Sequence, residues 1–72
     1  MKTFFAIYND NYTRKQFIIA ASDMAEAEAE AYASEVGETL DGKKFYPEAS
    51  DFYITEIKGV YSRGKAGIIQ YV

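Results

Sequence analysis

The chain has no cysteine, no histidine, no tryptophan and only one proline in 72 residues. Without Cys there is neither a disulfide framework nor a thiolate metal site. Without His the usual general base, the commonest metal ligand and the neutral-pH switch are all missing. Small secreted domains of this size normally rest on disulfides or metals, so an intracellular, cytoplasmic protein is expected. Met1–Tyr8 carries one Lys and then an apolar run too short for a signal peptide, and no run approaches the length of a membrane span. The length suits one small domain, residues 1–72, burying roughly 60% of the surface its unfolded chain exposes. That leaves no room for a deep cleft between lobes.

What is present is a globular composition, 49% hydrophobic and 26% charged, with seven Tyr and five Phe to build a core. Phe4–Tyr8 (FFAIY) is aromatic and β-branched and apolar on both faces, the pattern of a central or doubly covered strand. Asn9–Thr13 are turn formers around one Tyr, and Gln16–Ala21 (QFIIAA) reads as a second strand, giving a hairpin. After a helix, Glu38–Asp51 is loop-like, with Leu40, Phe45 and Tyr46 expected to pin it to the core. Phe52–Lys58 is a third strand with a bulge expected at Gly59. Ser62-Arg63-Gly64-Lys65 reads as a second hairpin turn before a last strand, Ala66–Val72. The fold class predicted is α+β: ββαββ, a four-stranded antiparallel sheet with one helix packed on one face. A βαβ crossover with parallel pairing is the alternative if the second and third strands are neighbours.

The helix, within SDMAEAEAEAYASEVG (Ser22–Gly37), is the clearest local signal. Five Ala and no β-branched residue before Val36 favour it. Ser22 or Asp23 is the N-cap; an Asp23 cap puts Glu26 at a capping-box spacing, and Gly37 follows as a stop. At about 100° per residue, Ala25, Ala29, Tyr32 and Val36 form one stripe, read as the core face. Ala27, Ala31 and Ser34 then form an outer Ala groove, with Glu26 and Glu30 along one edge and Glu28 and Glu35 along the other.

No catalytic residue, cofactor site or metal site is predicted. Gly59-Val60-Tyr61-Ser62-Arg63-Gly64-Lys65 fits G-x-x-x-x-G-K, but Ala66 stands where a Mg²⁺-ligating Ser or Thr belongs, and strand rather than helix should follow. Glu26 and Glu30 are four apart on a helix, yet nothing supplies the six or more oxygens a Ca²⁺ or Mg²⁺ ion wants. No nucleophile–base constellation can be assembled. A net charge of −3 opposes direct nucleic-acid binding.

Charge is distributed unevenly. Ser22–Asp41 holds Asp23, Glu26, Glu28, Glu30, Glu35, Glu38 and Asp41 and no Lys or Arg, a local charge of −7 in a chain whose net charge is −3. A helix shaped for stability alone would pair Glu with Lys four residues on, and would not place Glu35 near its negative C-terminal end. The helix acids recur about every 4 Å along the axis, close to the roughly 3.4 Å between phosphates of one DNA strand. A solvated acidic face has the same appearance. Read functionally, Glu26, Glu28, Glu30, Glu35, Glu38 and Asp41 are the candidate partner-binding residues.

The organisation FIIAASDMAEAEAEAYASEVG followed by FYITEIKGV, a strand, an acid-rich helix and a strand, resembles that of small acidic phage-encoded anti-defence proteins, the anti-CRISPR proteins among them. The resemblance is one of size and organisation, covers under half of the chain and carries over no site residue. It implies a non-enzymatic inhibitor in the bacterial host cytoplasm. Such a protein binds a basic, nucleic-acid-binding surface of a CRISPR effector complex through a DNA-mimicking acidic helix, with no direct nucleic-acid or membrane contact. The alternative is a small self-associating structural or interaction module, using the Ala27–Ala31–Ser34 groove or the Tyr-rich sheet.

Overall fold

The first two strands form a hairpin on which everything else is laid. A computed structural model describes residues 1–72. Strand β1 (Lys2–Asn9) pairs antiparallel with β2 (Arg14–Ala21) along its whole length, from Lys2 opposite Ala21 to Asn9 opposite Arg14. Asp10 fixes the turn. Its Oδ1 accepts from the backbone N–H groups of Tyr12 at 2.7 Å and Thr13 at 2.6 Å. Its Oδ2 accepts the Tyr8 hydroxyl.

Helix α1 (Met24–Glu35) follows, then a short pair β3 (Gly37–Glu38) and β4 (Lys44–Phe45), a 3-10 turn (Ala49–Asp51), β5 (Phe52–Tyr61) and β6 (Gly67–Tyr71). The main sheet runs β5-β1-β2-β6, and every neighbouring pair is antiparallel. The fold is thus α+β with one helix and a four-stranded antiparallel sheet. β3 and β4 pair only with each other and add a small second sheet.

The hairpin expected between the last two strands does not form. β5 and β6 occupy opposite edges of the sheet. Residues 62–66 carry the chain across the ends of β1 and β2, about 14 Å at the usual strand spacing, within reach of a five-residue extended link. Met1 helps hold this path: its amino group donates to the Ser62 carbonyl at 2.8 Å and its carbonyl accepts from the Ser62 N–H at 2.7 Å. Thr3 Oγ1 and Ser62 Oγ lie 2.6 Å apart on the side away from the helix. The expected bulge at Gly59 is present. Between the pairs Phe4–Glu56 and Lys2–Tyr61, β1 advances two residues and β5 five, and Gly59 takes φ +81°, a conformation costly for residues with a Cβ.

The core lies between α1 and one face of the central hairpin. Phe4, Ala6 and Tyr8 alternate along β1, and Phe17, Ile19 and Ala21 along β2; all are buried together with Ala27 and Ala31. Phe52, Ile54 and Ile68 pack at the rim of this cluster. The helix is therefore rotated relative to the sequence-based assignment. Ala25 and Ala29 are exposed, Tyr32 is 38% exposed and Val36 only partly buried, whereas Ala27 and Ala31 are at 0%. The hydrophobic pattern is almost equally Ala-rich on both stripes, so composition could not decide the rotation. Side-chain size does: methyl groups let the helix approach the large Phe4, Tyr8 and Phe17 rings, and Tyr32 sits at the margin 6.4 Å from the Phe52 ring.

Asp23 is the N-cap, its Oδ1 accepting from the Glu26 N–H at 2.8 Å. The Glu26 carboxylate reaches back one residue further than in a standard capping box, accepting from the Ser22 N–H at 2.8 Å. The helix ends when Val36 turns extended (φ −68°, ψ 128°) and leads into β3; Gly37 does not take the left-handed conformation of a helix stop. Leu40 does not pin the following stretch to the core. It stands fully exposed in the β3–β4 turn, and Tyr46 is 61% exposed; Pro47 is the buried residue there.

Candidate functional site

The six candidate acids fall into three environments. Glu35 turns inward at the C-terminal end of α1, 9% exposed, where its Oε1 meets Lys15 Nζ of β2 at 3.0 Å. Its Oε2 lies 3.3 Å from the Ser34 hydroxyl. This is a tie between helix and sheet. It also answers the apparent misplacement of Glu35 near the negative helix end: Lys15 supplies from another strand the cation missing from the helix itself. Spacing within the helix could not reveal a partner 20 residues away.

Glu38 and Asp41 belong to the β3–β4 arm and are mixed with cations. Glu38 lies opposite Lys44 in the strand register, and Asp41 Oδ2 is 4.0 Å from Lys43 Nζ. Asp41 also accepts the Thr39 hydroxyl and the Lys43 N–H, and these bonds hold its carboxyl below the usual carboxylate range. The arm is thus locally balanced, and of the six candidate acids only those on the helix outside Glu35 remain without a cation.

Glu26, Glu28 and Glu30 remain. Glu28 is exposed and Glu26 and Glu30 partly so, and none has a cation within 4.0 Å. The only two ion pairs in the molecule are Lys15–Glu35 and Lys43–Asp41. Ala25, Ala29 and Ala33, all exposed, run along the helix crest between Glu28 on one flank and Glu26 and Glu30 on the other. The Ala strip between acids is Ala25–Ala29–Ala33; the expected outer groove of Ala27, Ala31 and Ser34 is not there, because Ala27 and Ala31 are buried. Their burial also removes the Ala27–Ala31–Ser34 groove as a surface for self-association.

On the Glu28 side the helix does not close onto the sheet edge. Ala25, Glu28, Ala29 and Tyr32 from α1 face Phe52 and Ile54 from β5 across a groove of ≈ 590 Å³. The stripe Ala25–Ala29–Tyr32 is apolar, as the periodicity indicated, but it lines a groove rather than the sealed core.

No three or more Asp or Glu side chains converge on a point where a metal ion could sit. The G-x-x-x-x-G-K segment runs from β5 through the crossover to β6, strand to strand, with no helix N-terminus to hold a phosphate. The most perturbed acid pair is Tyr8 and Asp10. Burial first, and then the bond to Asp10, push the Tyr8 hydroxyl far above its usual range. The same bond is the main reason the Asp10 carboxyl sits low, helped by the Tyr12 N–H. The proton stays on Tyr8, where it holds the turn. No helix is long and apolar enough to cross a membrane. No protein-family model, curated protein or solved structure matches this chain.

Proposed function

We propose that this chain is a non-enzymatic inhibitor that docks, through the carboxylate-bearing side of α1, on a basic surface that a bacterial defence complex uses to hold nucleic acid. The observation that carries this reading is the imbalance of pairing. Glu26, Glu28 and Glu30 share one helix with no cation within 4.0 Å, although the chain has eight Lys and Arg to offer. Glu26 also closes the helix cap on Ser22, but Glu28 and Glu30 have neither a cation nor a hydrogen-bond donor in the molecule. Like pairs such as Glu26–Glu30 cost the helix a few tenths of a kcal/mol, a cost that an outside cation offsets. The anti-CRISPR proteins that the chain resembles in organisation give the partner class: a CRISPR effector, with DNA entry blocked.

The test is a DNA-cleavage assay across a panel of purified CRISPR effectors. The wild-type chain should block at least one of them, and Glu28→Lys/Glu30→Lys should lose the block while its circular dichroism stays that of the wild type. Undiminished inhibition by the double reversal removes the helix as the site, and no inhibition of any effector removes the partner class.

A second reading, self-association, is favoured by the sheet face away from the helix. Phe5, Ile7 and Ile18 are only partly buried there, and Tyr53 is 64% exposed. Light scattering over a range of concentrations separates the two: a concentration-independent monomer excludes it.

A further inference from the structure

Three features meet at the groove between α1 and β5. The first is backbone. β5 pairs with β1 on one side only, so alternate N–H and C=O groups along its outer edge have no strand partner. The second is lining. Phe52, Ile54 and Tyr32 give an apolar lining, and on the helix-side wall Ala25 and Ala29 present only methyl groups where a larger residue would fill the space. The third is charge. Glu28 is the only ionisable carboxylate among the lining residues, and no Lys or Arg lines the groove or pairs with it.

Each feature selects part of an occupant. A free strand edge is satisfied by another extended backbone, which neither a helix nor a small apolar molecule supplies. An apolar lining beside that edge accepts side chains at every second position of an added strand, since those share one face. Glu28 selects a cation at the helix-side rim. We propose that the groove binds an extended segment of a partner protein, which adds a strand to β5, lays alternate apolar side chains against Ala29, Tyr32 and Phe52, and sets a Lys or Arg against Glu28. The groove's ≈ 590 Å³ is enough for two or three such side chains. The groove shares Glu28 with the helix surface proposed above but needs nothing of Glu26 or Glu30.

Selection from displayed random linear peptides against the immobilised full chain tests it. Enriched sequences should alternate apolar residues and carry a Lys or Arg. Synthetic copies should shift the amide resonances of residues 52–56 and 25–32 of the ¹⁵N-labelled chain. Ala29→Phe, a change at an exposed position, should weaken them at least tenfold. Glu28→Gln should weaken the Lys-bearing peptide about threefold, the scale of a rim ion pair, and leave its Ala-substituted copy unchanged. The proposal is overturned if no sequence is enriched, if Ala29→Phe binds as well as wild type, or if sedimentation shows the chain dimerising through β5, making a second copy the occupant.

Discussion

Glu35 and Lys15 show how one side chain can be read in opposite ways. In the sequence Glu35 is another member of an acid run. In the fold it is a buried carboxylate held by a cation from β2. Removing only the cation leaves a desolvated charge. Lys15→Met should therefore lower unfolding stability by about 1–3 kcal/mol, and Lys15→Met/Glu35→Met should recover most of that; urea denaturation of the set gives the coupling. Asp10 makes a second prediction, in pH. Its carboxyl is lower in the fold than in the unfolded chain, so its contribution is present above the ordinary Asp pKa of about 3.9 and is lost as pH falls through the lowered value. Asp10→Asn should be less stable than wild type at neutral pH, and the difference should shrink on acidification below about pH 4. Melting curves from pH 7 to pH 2 measure it. Asp10 as a turn residue was legible from its neighbours; its bond to a buried Tyr8 was not, because both residues look ordinary in a turn-forming run.

At the scale of elements, the helix and the central strands were legible because each carries a strong local signal: Ala and Glu without β-branching in α1, and apolar residues on both faces of β1. The rotation of the helix was not, because Ala25–Ala29 and Ala27–Ala31 differ by nothing a hydrophobicity pattern can weigh. The packing makes them sharply different. Ala31→Leu inserts atoms into a closed core and should cost about 1–3 kcal/mol. Ala29→Leu, on the exposed crest, should stay within about 0.5 kcal/mol of wild type. Chemical denaturation of the two variants checks this in one experiment. The last two strands failed for a different reason. Ser62–Lys65 has the composition of a tight turn, and a composition says that the chain bends but not how far it then travels. The link starts on Met1, which is bonded to Ser62 at the end of β1, and β6 pairs with β2 at the opposite edge of the sheet.

Across the whole molecule, the fold sorts a charge run that is continuous in sequence into pieces that act separately. Lys15 neutralises one acid inside, Lys43 and Lys44 accompany two on the arm, and Glu26, Glu28 and Glu30 stay on α1 without a cation. That sorting needs the tertiary structure, since every neutralising cation comes from outside the helix. It also narrows the surface on which the functional reading rests, from six residues to three. The most direct measurement is binding of the chain to purified CRISPR effectors, with and without target DNA, over a range of salt concentrations. If the acidic helix occupies a DNA-binding surface, chain and DNA should exclude each other, and affinity should fall steeply between low and physiological salt. Simultaneous binding of chain and DNA with salt-independent affinity would contradict that reading.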